Sequence, residues 1–303
     1  MVNSRVVASL TTMPDKYSRL VKTLESLNKQ THKLDAIYLG IPKISRRLKT
    51  PYPELPKEIT DQCQVVEVTD YGPITKIVAG LISESDPDTV IITFDDDMWY
   101  PEDMVEKLLE KHKLYPNSSV GSSGMIIGKS CPVCAIYPNE RNALYRISKF
   151  KIPKEGRRVD SIYGYPGALY VRKFFPKKEK LEKHFLHIAL DNKATLMNDD
   201  ITISGYLSLK NIERRIFSEL PEVSYAIPDG MTNRLHLESE ISYNLDSFFQ
   251  RMNTSIETCK KYGMYQNPEP MDVITESTVG IAGIFIFSLL LVILFALFII
   301  FCW

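Results

Sequence analysis

The chain has 303 residues, enough for one large α/β domain or two small ones. Its 37 lysines and arginines equal its 37 aspartates and glutamates, so the formal net charge is zero. That balance argues against nucleic acid as a partner, which favours a basic surface.

The first apolar stretch, residues 6–10, reads as a strand. It is too short for a signal peptide, and Arg5 interrupts the apolar run around it. Ser9-Leu10-Thr11-Thr12-Met13-Pro14 marks the end of this strand. The short hydroxyl side chains of Thr11 and Thr12 can contact a nucleotide there, or equally cap the next helix. Tyr17, Leu20, Val21, Leu24 and Leu27 then recur at helical spacing.

Residues 36–41 and 65–68 read as the second and third strands. Asp70-Tyr71-Gly72-Pro73-Ile74-Thr75-Lys76 follows. Gly72 and Pro73 signal a turn, and residues 74–82 a helix. Lys76 falls in that helix's first turn, where a cation is unfavourable without an anion nearby. A bound phosphate would remove the conflict. A surface lysine after a tight turn fits equally well.

Residues 89–94 read as a buried fourth strand that ends in Asp95-Asp96-Asp97. Adjacent carboxylates repel one another and are costly near a core unless a cation neutralises them. Hard oxygen ligands suit Mg²⁺ or Mn²⁺, ions that commonly bridge a diphosphate. A solvated acidic turn closed by Pro101 is the bland alternative, and it seldom follows so apolar a strand. Residues 102–113 return as a helix. This alternation predicts a mostly parallel sheet with helices on both faces. Ligands of such sheets bind beyond the carboxyl ends of the strands, where the three aspartates lie.

The second half is less regular. Residues 164–171 read as a glycine-punctuated strand, 199–209 as a helix opened by Asp199 and Asp200, and 244–252 as another helix. One acid suffices to cap a helix, which leaves the other free as a general base. His236 gains weight as a ligand only if a metal site already exists. Cys131 and Cys134 form a lone C-x-x-C without a second pair, which points to thiols rather than zinc. Asn117 and Asn253 open N-glycosylation patterns that matter only for a lumenal body. Residues 263–278 read as a linker. Residues 279–303 are apolar apart from Ser288 and small residues, and about 20 such residues span a bilayer. The sequence therefore predicts a body over residues 1–262, on the cytosolic side of a membrane, held by a C-terminal tail anchor.

Five segments together resemble the GT-A fold glycosyltransferases of the family 2 type, and among these the small members of bacteria and large DNA viruses of algae. They are Ser9 to Pro14, Asp70 to Lys76, Asp95-Asp96-Asp97, Gly164-Tyr165-Pro166-Gly167 and Asp199-Asp200. The resemblance spans roughly residues 6–236. It implies a Rossmann-like GT-A fold, a nucleotide-sugar donor, Mn²⁺ or Mg²⁺, and an acceptor hydroxyl on a glycan, lipid or protein. It implies that Asp97 binds the metal and that Asp95 contacts the nucleoside. Thr11, Thr12, Asp70, Gly72, Lys76 and Asp96 would complete the donor site. Gly164 and Gly167 would let the backbone approach the sugar closely. Asp199-Asp200 stands where the family has a Glu-Asp pair, with Asp200 as base. The aspartate at 199 leaves open which acid acts. His236 is similar to a late histidine that completes the metal site in many such enzymes. No second carboxylate nucleophile is evident, so inversion is expected.

Two other functions compete. A metal-dependent phosphoryl-transfer enzyme of the aspartate-phosphatase type needs D-x-D-x-[TV] after the first strand, where this chain has Ser9-Leu10-Thr11. A membrane-anchored binding module without chemistry would tolerate loss of Asp97 or Asp200, and both are present.

Overall fold

The structure is a computed structural model that describes residues 4–127, 134–136, 152–226 and 245–268. All of them belong to one compact unit, Met1–Glu269. Strands β1 (Val6–Thr11), β2 (Ala36–Pro42), β3 (Gln64–Val68) and β4 (Val90–Thr93) pair in parallel in the order β3-β2-β1-β4. Next in the chain come β5 (Met98–Trp99), β6 (Ser118–Gly121), β7 (Gly124–Ile126), β8 (Cys134–Ile136), β9 (Arg157–Arg158) and β10 (Ser161–Ile162). They are followed by β11 (Ala168–Val171), β12 (Glu213–Ile216) and β13 (Ser224–Tyr225). β11 enters the main sheet antiparallel between β4 and β6, β12 pairs parallel with β6, and β9 closes that edge antiparallel. Two small sheets, β10-β7-β8 and β13-β5, lie outside it. The fold is thus α/β with a mostly parallel central sheet, as expected.

The helices are α1 (Tyr17–Asn28), α2 (Lys57–Thr60), α3 (Thr75–Ser83), α4 (Met104–Leu114), α5 (His187–Ala189), α6 (Lys193–Leu196), α7 (Asp199–Leu209) and α8 (Leu245–Lys261). Side chains alternate across a strand, so each face of β1 meets a different layer. Val6, Ala8 and Leu10 join Leu20, Leu24 and Leu27 of α1 and Met104 and Leu108 of α4 in one core. Each fully buried leucine contributes about 1.5–3 kcal/mol, so α1 is held mainly by its apolar stripe. Ser9 and Ile91 face the other way, under α3. A Cβ built on Gly80 would meet the Ser9 Cβ at 3.1 Å and the Ile91 Cγ2 at 3.0 Å. Small residues here let α3 lie close on the sheet.

Three expectations change in the second half. The strand predicted over residues 164–171 begins only at Ala168, because the Gly167 amide donates to the Gly164 carbonyl at 2.9 Å and closes a turn. α8 runs on to Lys261, since Met252, Ile256 and Cys259 continue the buried stripe at helical spacing. The linker expected from residue 263 does not begin there. Met264 and Tyr265 are buried against Gly205 of α7, and the Tyr265 hydroxyl donates to the Ile201 carbonyl. Among the described residues, no helix is long and apolar enough to cross a membrane. The predicted span at 279–303 lies outside the described residues, as do His236 and Cys131.

Candidate active site

The carboxyl ends of β1 to β4 open into a cleft of about 980 Å³. Thr11, Thr12, Asp70 and Gly72 line it from the strand-end loops. Lys76, Asp95, Asp96 and Asp199 line it at the junction of α3, β4 and α7. Segments far apart in sequence therefore meet, and Lys76 is where they meet. Its ammonium pairs with Asp95 and lies 2.9 Å from Asp199 Oδ2. Lys76 does sit in the first turn of α3, and the carboxylates of Asp95 and Asp199 give it counter-charge there. Burial alone would lower the Lys76 pKa, but Asp199, Asp95 and Asp200 together raise it well above the ordinary value. Ser9 fixes the backbone beneath it. Its hydroxyl donates to the Lys76 carbonyl and accepts from the Gly80 amide at 2.9 Å.

The three consecutive aspartates point to three different partners. Asp95 pairs with Lys76, and burial pushes its pKa up. Asp96 accepts from the Thr12 hydroxyl at 2.6 Å, and burial together with Asp97 pushes its pKa to about 7. Asp97 accepts from the Lys16 ammonium at 2.6 Å, with the Arg19 guanidinium 4.0 Å away. Among the described residues, no group of three or more His, Cys, Asp or Glu side chains is placed to hold a metal. In chemical kind the donors fit a hard divalent cation. Asp97 already faces a cation in Lys16, so an ion held by these acids has that lysine to displace. Thr11 donates to the Gly40 carbonyl at 2.7 Å. Neither it nor Thr12 caps the following helix.

The Asp70 loop is built around its own side chain. Asp70 Oδ1 accepts from the Gly72 amide at 2.7 Å, and Oδ2 from the Arg46 amide at 2.6 Å. Gly72 has φ +73°, and a Cβ there would lie 2.6 Å from the Leu196 carbonyl oxygen. Only glycine satisfies both constraints.

Asp199 and Asp200 open α7 in its first turn, as predicted, and the N-cap residue is Asn198, whose side chain makes no cap hydrogen bond. Asp199 is buried and committed to Lys76. Asp200 is half-buried, and its Oδ1 accepts from the Gly164 amide at 3.0 Å. Burial, then Asp199, raises the Asp200 pKa well above the ordinary carboxylate value, against the pull of Lys76. Gly164 stands against this acid, since a Cβ there would meet Asp200 Oδ1 at 2.9 Å. Gly167 has φ +94° and packs on Phe94. Asp97, Asp200, Gly164 and Gly167 are not among the residues that line the cleft itself.

Several contributors escaped the sequence reading. Tyr100 is fully buried, and its hydroxyl accepts from the Asp95 amide at 2.9 Å and donates to the Tyr165 carbonyl at 2.8 Å. It thereby fixes the Gly164–Gly167 turn against the aspartate triplet. No local pattern reveals that link. Arg46, Arg47 and Lys49 line the cleft from the loop after β2, and Asn192, Lys193 and Arg251 line it from the second half of the chain. The basic run Arg46-Arg47-Leu48-Lys49, directly after a strand end, is the one signal that could have pointed to them.

No protein-family model matches the chain, and no curated protein matches it. Among solved structures, S. aureus TarS aligns with a TM-score of 0.44 and 11% identity, over 74% of this chain and 37% of that one. S. aureus TarS 1-349 in complex with UDP aligns with a TM-score of 0.42 and 12% identity, over 73% of this chain and 59% of that one. The chain covers less than two thirds of either structure.

Proposed function

We propose that the protein is a glycosyltransferase that moves a sugar from a nucleotide-sugar to an acceptor hydroxyl, with inversion. One observation carries this reading. The Lys76 ammonium joins the Asp70 to Lys76 segment, Asp95 of the triplet and Asp199 of the acid pair at one cleft, with Asp200 next in the helix just outside its lining. Lone acid clusters have many uses. These particular segments converging around a ligand-sized cleft are what a donor site flanked by a base requires. An acceptor hydroxyl ionises far above neutral pH and needs a base as it attacks. Asp199 is held by Lys76, whereas Asp200 has one oxygen on Gly164 and its second carboxylate oxygen to take the proton. With a single carboxylate in this role, direct displacement inverts the anomeric centre.

Mn²⁺ or Mg²⁺ belongs to the proposal. Asp97 is the described residue that would hold it, and His236, the second ligand the resemblance implies, lies outside the described residues. When bound, it would supply charge neutralisation for the diphosphate leaving group. The test is a panel of nucleotide-sugars incubated with the full chain and each ion, reading nucleotide release. Release from at least one donor, lost on chelation and weakened in Asp97→Asn, is expected. No release from any donor would overturn the transferase reading, and full activity in chelator would overturn the metal alone.

We also propose that residues 279–303 anchor the chain in a membrane with the body cytosolic, on the length and apolarity of that segment. The full chain should then resist carbonate extraction, and protease outside sealed vesicles should digest the body. Protection of the body would reverse the orientation.

A further inference from the structure

We infer that the loop of residues 43–51 is an anion subsite that grips the phosphates of the donor. This rests on the reading of the cleft as a nucleotide-sugar site. The loop leaves the carboxyl end of β2 and is tightly built. Ile44 and Pro51 form a bridge, the Ser45 amide donates to the Thr50 carbonyl at 2.8 Å, and the Lys49 amide donates to the Ser45 carbonyl at 2.8 Å. The Leu48 amide donates to the Ser45 hydroxyl at 3.1 Å. Lys49 holds φ +59°, a conformation that non-glycine side chains seldom adopt. Two further bonds fasten the loop to the cleft wall. The Arg46 Nε donates to the Asp70 carbonyl at 3.0 Å, and the Tyr52 hydroxyl donates to the Thr12 carbonyl at 3.2 Å. The result is a rigid turn that carries Arg46, Arg47 and Lys49 to the cleft.

Charge accounting shows what these cations lack. Asp70, whose oxygens accept from the backbone amides of Gly72 and Arg46, offsets one of the three cations and leaves two in excess. On the cleft floor Asp95 and Asp199 share the single Lys76 ammonium, and Asp96 accepts from the neutral Thr12 hydroxyl. Among the described residues, Arg47 and Lys49 form no ion pair. Lys193 also lines the cleft. The loop therefore presents surplus positive charge to the cleft beside the carboxylates of its floor. A diphosphate matches that charge, because guanidinium groups bind phosphate oxygens in pairs. The donor is the source rather than an acidic acceptor. The loop joins Thr12 and Asp70, at the ends of β1 and β3, while Asp200 stands outside the cleft lining.

The experiment titrates the detergent-solubilised full chain with UDP, GDP and CDP, and with the matching nucleosides, by calorimetry. The double variant Arg47→Ala/Lys49→Asn is compared with wild type. Asparagine tolerates the left-handed backbone at position 49, so the loop keeps its shape. Affinity for the preferred diphosphate should fall about tenfold or more, since charge-assisted hydrogen bonds are lost. Affinity for the matching nucleoside should not change, and added salt should weaken wild type more than the variant. If wild type binds a diphosphate and the variant binds it equally, the subsite is wrong while the transferase reading stands. Equal diphosphate affinity with a raised acceptor KM would give the loop to the acceptor and also overturn the inference. A matching loss of nucleoside affinity would show general damage to the site and refute it. If wild type binds no diphosphate at all, both readings fall.

Discussion

Asp200→Asn should lower turnover by about 10²- to 10⁴-fold while donor affinity stays near that of wild type. The substitution is nearly isosteric, and the asparagine oxygen can still accept from the Gly164 amide that Asp200 Oδ1 engages at 3.0 Å. What disappears is the capacity to take a proton as the new bond forms. The acid–base state of this group adds two signatures. Burial and Asp199 raise its pKa well above the ordinary carboxylate range. A base must be ionised to act, so activity should rise as pH climbs toward that raised pKa and fall away below it. The stability effect has the opposite sense. Because the folded-state pKa is raised, the stability this group contributes is complete below the unfolded carboxylate range and is lost as pH rises through the folded pKa. Asparagine never ionises. The variant should therefore melt higher than wild type at neutral and alkaline pH, and equally with it in acid. Calorimetric donor titration, nucleotide release and thermal melts across pH measure all three effects. Donor binding that fails as badly as turnover would place Asp200 in the donor site and end its role as base. A dead Asp199→Asn beside an active Asp200→Asn would exchange the two roles.

The contrast between Asp199 and Asp200 shows where the sequence stops being legible. The helix they open is predicted over the same residues, 199–209, that the structure shows. Strands β1 to β4 likewise follow from alternating and β-branched apolar runs, and their carboxyl ends mark the cleft. The first-turn position of Lys76 was legible as an electrostatic conflict. Its resolution was not, because the answering carboxylates come from β4 and α7, and local periodicity carries no information about which distant elements converge. Tyr100 shows the same limit. A tyrosine after an acidic turn reads as packing, yet its hydroxyl couples the Asp95 amide to the Tyr165 carbonyl. Met264 and Tyr265 failed for a different reason. A proline-rich polar segment follows them, and the neighbourhood masked two residues that fill the space above Gly205.

Lys76→Met should cost about 3–5 kcal/mol of stability and abolish turnover, the largest stability effect expected at this site. The lysine is 7% exposed and pairs with both Asp95 and Asp199. Methionine matches its length and fills the space, so the loss reports charge rather than a cavity. Without the ammonium, neighbouring carboxylates remain in a poorly solvated place with no counter-charge, and removing one partner of a buried pair leaves that penalty exposed. The pH dependence separates this from simple misfolding. In wild type the Lys76 pKa is raised well above its ordinary value, because Asp199, Asp95 and Asp200 outweigh burial. Its contribution is therefore complete at neutral pH and is lost only as pH rises through that raised value. In the variant the orphaned acids are tolerated once protonated. The gap between the two proteins should thus be small in acid and widest at neutral pH. Urea unfolding at about pH 4 and pH 7 reads that gap. The double variant Lys76→Met/Asp95→Asn should recover part of the loss at neutral pH, because one stranded carboxylate goes with the lysine. A gap of equal size at both pH values, with no recovery in the double variant, would mean that Lys76 supports the fold through its hydrocarbon stem. The convergence of three segments on its ammonium would then lose the electrostatic meaning on which the site is built.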